Sequence, residues 1–302
     1  MSRTWTIDTV PPSPPTSLDA TVLVSPPRAT TIDLRWALSS DENGIAAYDI
    51  DRGGAQFVGA EQFQGADYAY ATFAVSQGEA PTAPATYTFK VRARDTAGNW
   101  SPFSAPITVR VPFATPADAS ASVVRHFPSQ TYGGSRSVGV GLLPYREAYL
   151  RFRVTGLPGP VKSATLRLRA YDGTKDGPAL YLADSGWTEG GITWENRPAR
   201  TSGVIADAGP IADKSFLEYD VTSAVTGEGT YTFNLVPESG DALFFWSRSV
   251  DCFESDNFLD SDPGGCVWPV LLITTDDDAT PPRVTFTPGP VASHRPGEFV
   301  RA

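Results

Sequence analysis

The chain has 302 residues and a net charge of −10, with 27 Gly and 27 Pro against 1 Met and 2 Cys. That acidity excludes nucleic acid as a general partner, because phosphate binding calls for a basic surface. No apolar run approaches the roughly 20 residues of a membrane-spanning helix. Long helical periodicity is absent, and short alternating runs recur between Gly, Pro, Asp and Asn clusters, so the fold class is all-β.

Proline clusters divide the chain. "VPPSPP" (10–15), "VPFATPAD" (111–118) and "DDDATPP" (276–282) have the composition of semi-rigid linkers, because proline fixes φ and removes a donor. They predict an end piece over 1–11, a domain over 12–111, a second over 113–275 and another end piece over 276–302. "TWTIDTVPP", with Trp5 and Ile7 on one face, reads as the last strand of a preceding repeat.

The first domain reads as about seven strands. "TTIDLRWAL" places Ile32, Leu34 and Trp36 on one face, and "IAAYDIDRGG" does so with Tyr48 and Ile50. "TYTFKVRARDTAGNWSP" points Tyr87, Phe89, Val91 and Ala93 inward, with Thr88, Lys90, Arg92 and Arg94 outward. On Trp36, Tyr48 and "YTFKVRARDTAGNWS" this block resembles a fibronectin type III domain of bacterial secreted proteins. The resemblance implies a seven-stranded sandwich acting as a spacer or adhesive module.

In the second domain, "YLRFRV" sends Leu150, Phe152 and Val154 inward and Tyr149, Arg151 and Arg153 outward. "TLRLRAY" sends Leu166, Leu168 and Ala170 inward and Arg167, Arg169 and Tyr171 outward. A "GLPGP" turn between them predicts a hairpin, whose outer face would gather four arginines flanked by tyrosines. Arginine grips carboxylates in a bidentate fork and tyrosine offers a stacking face, so such a patch suits an acidic polysaccharide such as a polyuronate. The competing expectation is neutralisation by Glu218 and Asp220 of "FLEYDV" in cross-strand pairs. In "DSGWTEGGITWENRP", Gly190–Gly191 breaks the strand and lets Trp187 and Trp194 both turn inward as core, with Asn196 holding the turn. They are also secondary candidates for stacking on a sugar, and Glu189 is a weaker candidate for an acid.

Over "YGGSRSVGVG", "AYLRFRVTGLPG", "ATLRLRAYDG", "WTEGGITWENRP", "DVTSAV" and "PVLLITT", the second domain resembles a DNRLRE-type module. The resemblance implies a jelly-roll sandwich of the carbohydrate-binding kind, some members being directed at alginate, and also a purely structural use in large surface proteins. Arg151 and Arg167 fall at positions common in that family, whereas Arg153 stands where members often carry Asp. The expected function is a non-catalytic, extracellular or cell-surface segment that binds carbohydrate. The alternatives are a structural subunit or adhesin segment of a fibre or virion, and a polysaccharide lyase built from Tyr, Arg and His126.

No phosphate loop, nucleophile elbow or HExxH motif is present, and no cofactor is expected. Cys252 and Cys266 are expected to form a disulfide, worth about 3 kcal/mol in the chain-entropy model. Asp251, Asp256, Asp260 and Asp262 make an oxygen-rich loop that is a candidate for Ca²⁺, although EF-hand spacing is absent. "RVTFT", with Val284 and Phe286 on one face, reads as the first strand of a following repeat. The ends therefore fit either a slice of a tandem array or strands that self-associate by β-augmentation.

Overall fold

The computed structural model describes residues 7–58, 68–75, 82–250 and 267–276. The described residues form seventeen strands and no helix. The expected Cys252–Cys266 bridge, the candidate calcium loop with Asp251, Asp256, Asp260 and Asp262, and the expected end strands with Trp5 and Phe286 fall on residues outside the described ones. Residues 7–15 form no strand, and Asp8 is tied to the first domain through Asn43 and Asn99.

The first domain contributes β1 (Thr16–Leu23), β2 (Thr31–Ala37), β3 (Ile45–Arg52), β4 (Ala55–Val58), β5 (Tyr68–Ala74), β6 (Ala85–Asp95) and β7 (Ile107–Val111). They form a three-stranded sheet, β1-β2-β5, and a four-stranded sheet, β4-β3-β6-β7. Period-2 alternation explains the core: Ile32, Leu34, Trp36, Tyr48, Ile50, Phe89, Val91 and Ala93 all enter one buried cluster. Trp36 and Tyr48 meet edge to face at 5.4 Å between ring centres.

The second domain adds β8 (Phe113–Pro116), β9 (Ala119–Val124), β10 (Ser137–Leu142), β11 (Tyr145–Val154), β12 (Val161–Arg169), β13 (Ala179–Ala183), β14 (Phe216–Asp220), β15 (Gly229–Val236), β16 (Leu243–Trp246) and β17 (Val270–Thr275). One sheet runs β13-β15-β11-β10-β16, with β9 also paired to β11, and the other runs β14-β12-β17-β8. Leu150, Phe152 and Val154 of β11 and Leu166 and Leu168 of β12 meet in a single core between the sheets.

This topology corrects the hairpin expectation. β11 pairs with β15 and β9, whereas β12 pairs with β14 and β17, so the two strands belong to opposite sheets. The "GLPGP" segment is an arch that carries the chain across the core. Both strands must cover the same core, and placing them in facing sheets satisfies both inward rows.

The stretch 111–118 is likewise not a linker. Pro112 alone separates β7 from β8, and β8 pairs with β17 with Pro116 at its end, where an edge strand tolerates the missing donor. The domains are fastened across this junction. Thr82 and Ala114 exchange backbone hydrogen bonds of 2.7 and 3.1 Å, and Trp268 N–H donates to Pro26 O at 2.8 Å. Val24 packs against Ala114 and Val270.

Val24→Asp would bury an unpaired charge at this junction. The expected outcome is undocking of the two domains, seen as protease sensitivity around Pro112 and a larger radius of gyration in small-angle scattering.

Candidate functional site

β11 carries a polar row on its outer face, Tyr145, Glu147, Tyr149, Arg151 and Arg153, in phase with one another along the strand. Across the sheet, Tyr149 is opposite Asn234 of β15 and Ala121 of β9, and Asn234 is opposite Tyr181 of β13. A polar sheet face of this kind is ordinarily solvated. Here the segment 184–200 crosses over it.

That segment is pinned at many points. Trp187 is buried, with Trp187 Nε1–H donating to Thr232 Oγ1 at 3.0 Å. Arg151 grips Asp118 with Nε and Nη2 at 2.9 and 3.2 Å, and its Nη1 donates to Trp187 O at 2.5 Å. Glu189 accepts from Ser120 N–H at 2.9 Å and from Arg248 Nη1 at 3.0 Å. Gly133 approaches the Glu189 carbonyl so closely that a Cβ would lie 1.8 Å from that oxygen. Asn196 closes the turn, accepting from Thr193 N–H and donating to Gly191 O. Trp187 and Ile192 then pack with Ala119, Ala121, Val123, Tyr149 and Ala183 into an apolar plug.

Beside the plug a cavity of about 350 Å³ remains, lined by Glu147, Tyr149, Arg197, Pro198, Ala199 and Arg200. Glu147 is 2% exposed, yet fully satisfied. Its Oε1 accepts from Arg200 Nη2 at 2.8 Å and Tyr145 O–H at 3.3 Å. Its Oε2 accepts from Tyr149 O–H and from Asn234 Nδ2, each at 3.2 Å. Four donors fill the lone-pair sites of one carboxylate, so Glu147 organises the cavity and has no capacity left for a ligand. Arg200 is further fixed by donating from Nε to Asn234 Oδ1 at 2.7 Å and by lying 4.6 Å over the Tyr181 ring.

Arg197 differs. Its guanidinium stacks 3.6 Å over Trp194 and its Nη1 donates to Trp194 O. No carboxylate among the described residues pairs with it. The lining thus holds one carboxylate against two guanidiniums, a surplus of one positive charge. Tyr145 meets Trp194 edge to face at 5.5 Å, and Trp194 packs against the plug. Burial, reinforced by the Glu147 carboxylate, pushes the Tyr149 hydroxyl well above the ordinary tyrosine range. The same two causes raise Tyr145. Both hydroxyls therefore stay protonated at neutral pH and serve as hydrogen-bonding groups, not as bases.

The four-arginine patch does not form. Arg151 and Arg153 lie on one sheet and Arg167 and Arg169 on the other. Arg151 is consumed as a staple, and Arg153 is 65% exposed at 3.5 Å from Asp118. Arg167 pairs with Glu218, its register partner on β14, at 2.6 Å, which is the cross-strand neutralisation weighed from the sequence. Asp220 faces Thr165 instead. Arg169 is buried and donates to Lys214 O. Tyr171 stacks with Phe244 and Trp246 at the far end. Of the ligand candidates read from sequence, only Tyr149 lines the cavity, and Trp194 is tied to it only through Arg197, which stacks on it. Glu147, Arg197 and Arg200 were missed, although Glu147 shares the outward phase of Tyr149 in "YREAYL". His126 meets Phe127 edge to face at 5.0 Å and does not line the cavity.

Elsewhere, Asp8, Asp41 and Asp95 of the first domain offer carboxylate oxygens within 4.8 Å of one another, the donor type that hard cations use. Hydrogen bonds from Asn99 to Asp95 and from Asn43 to Asp8 already hold that group together.

Residues 112–254 match the model of carbohydrate-binding module family 96. The chain is 35% identical to Exoglucanase B of Cellulomonas fimi over 138 residues, 46% of this chain and 11% of that protein. It is also 35% identical to chitinase Chi52 of Paenibacillus xylanexedens over 107 residues, 35% of this chain and 18% of that protein. The chain thus spans less than a fifth of either relative. A solved carbohydrate-binding module of the β-sandwich superfamily aligns over 88% of this chain and 97% of its own, at 14% identity and a TM-score of 0.24.

Glu147→Gln would turn an amide N–H₂ toward a shell of donors and leave Arg200 without its anion. Breaking a buried pair costs about 3–5 kcal/mol, and about 3 is expected here because Arg200 is one-third exposed. Denaturant unfolding of the variant against the wild type measures it.

Proposed function

We propose that the second domain binds an acidic polysaccharide at the Glu147 cavity and does not cleave it, in a protein that works outside the cell. The observation that carries this reading is Arg197. It is a guanidinium stacked on Trp194, facing a polar cavity, with no carboxylate partner among the described residues. Such a group pairs a sugar carboxylate through charge-assisted hydrogen bonds. The match of residues 112–254 to a carbohydrate-binding family supports the general function. The names of the two relatives point to a glucan and chitin as the neutral competitors.

The lining also argues against hydrolysis. Glycoside hydrolysis ordinarily needs two carboxylates flanking the bond. Glu147 is the only carboxylate among the described lining residues, and its lone pairs are already occupied. A tyrosine-based elimination has no accessible phenolate, since burial holds Tyr149 protonated.

Titration of the whole chain with alginate, polygalacturonate, soluble xylan, cellulose and chitin tests the assignment. The first two should bind, with affinity falling as salt rises, and no reducing ends should be released. Arg197→Ala should weaken binding about tenfold or more, since a hydrogen bond to a charged group contributes about 1.5–3 kcal/mol. Binding should hold steady from about pH 6 to about pH 9, because Tyr149, held protonated by burial, does not titrate there. Selective binding of cellulose or chitin, indifferent to Arg197, contradicts the acidic assignment. Failure to bind any of the five contradicts the function.

A further inference from the structure

We infer that the first domain carries a second contact for an acidic polysaccharide, separate from the cavity. It is a column of stacked cations and aromatic rings along β6. Lys90, Arg92 and Arg94 share the outward phase of β6, opposite to the core residues Phe89, Val91 and Ala93. Alternate residues of a strand stand about 7 Å apart, so the three cations form a straight array about 14 Å long. Such an array suits a polymer that carries carboxylates at intervals, whereas a single small anion would meet only part of it.

The array is held in shape. The segment after β6 turns back and is fastened to the strand at two steps. Ser101 N–H donates to Ala93 O at 2.8 Å, and Ala93 N–H donates to Ser101 Oγ at 2.9 Å. Ser104 repeats this on Val91, at 2.7 and 3.1 Å. These bonds bring Trp100 and Phe103 among the cations. Lys90 Nζ lies 5.0 Å from the centre of the Phe103 ring, and the Arg92 guanidinium lies 4.7 Å from Phe103 and 4.5 Å from Trp100. Arg94 follows, 5.3 Å from Trp100. Stacking on the rings restrains the long side chains, so less freedom is lost when a ligand binds.

The register leaves one charge over. On β3, Asp51 is opposite Lys90 and Asp49 is opposite Arg92, and both pairs form salt bridges, at 3.3 and 2.8 Å. Arg94 is opposite Ala47, and no carboxylate among the described residues pairs with it. A guanidinium on an indole ring without an anion is the arrangement that Arg197 shows on Trp194. Lys90 and Arg92 keep 37% and 24% of their side-chain surface exposed, whereas Asp49 is fully buried. The face therefore presents its cations to solvent and hides a carboxylate beneath them.

The test uses the whole chain and supplies the missing anion. Ala47→Asp places a carboxylate opposite Arg94 and removes no member of the column. Polygalacturonate and its disaccharide are titrated calorimetrically against the wild type, Ala47→Asp, Lys90→Ala and Arg197→Ala. For the polymer, Ala47→Asp and Lys90→Ala should each lower affinity about threefold, the scale of one exposed ion pair, and flatten its salt dependence. The disaccharide is shorter than the array, so its affinity should not change in either variant. The unfolding midpoint of Ala47→Asp should equal or exceed that of the wild type, which separates lost binding from lost fold. Polymer affinity and salt dependence that match the wild type in both variants overturn the column as a binding surface. Abolition of polymer binding by Arg197→Ala alone also overturns it and leaves the cavity reading intact. Polymer binding that ignores Arg197→Ala but falls with Ala47→Asp supports the column and contradicts the cavity. A wild-type chain that binds neither ligand overturns both.

Discussion

The second domain depends on one buried anion. Glu147 sits on a sheet face that 184–200 roofs over, and a carboxylate there is tolerable only if its lone pairs are filled. Tyr145, Tyr149, Asn234 and Arg200 fill them, and each comes from a different place: the start of β11, its middle, β15 and the covering segment. The anion therefore does more than sit beside the cavity. It sets the orientation of two of the groups that line it, Tyr149 and Arg200, and ties the covering segment to the sheet. A carboxylate in this role leaves ligand contact to the groups around it, and the surplus charge falls to Arg197.

The roof is a rigid part because it has a core of its own. Trp187 and Ile192 bury apolar surface on the outer side of the sheet, separate from the main core between the sheets. Polar staples at Glu189 and Arg151 add direction to that burial. The junction with the first domain follows the same logic on a smaller scale, where backbone hydrogen bonds at Thr82 and Trp268 fix what the Val24 contact brings together. Relative motion is the usual expectation for two domains in one chain. A junction of one residue, closed by strand-like hydrogen bonds, presents the cavity at a set angle to the first domain.

Much of the fold was legible because side-chain alternation has a period of two. The inward rows of β2, β6, β11 and β12 entered the two cores as read, and Arg167 found Glu218. Alternation tells which way a residue faces but not which strand lies beside it. Hence β11 and β12 were placed side by side when they face each other across the core, and a four-arginine patch was built from two sheets. The cavity was illegible for a related reason. Glu147 was in the outward phase, where a charge is ordinarily solvated, and nothing local to "YREAYL" announces that a segment 40 residues away will cover it. Asn196 behaved as expected because its role is set within its own turn, whereas Trp187 is buried by distant strands and bonds Thr232 of β15.

The central claim is that carbohydrate enters the cavity built around Glu147. Mapping backbone amide shifts while oligosaccharides from alginate and polygalacturonate are added tests it most directly. The account predicts perturbations that cluster at Tyr149 and 194–200 and leave the outer faces of β12 and β14 unmoved. Perturbations centred on Arg167, Arg169 and Phe216, with 194–200 silent, would contradict it.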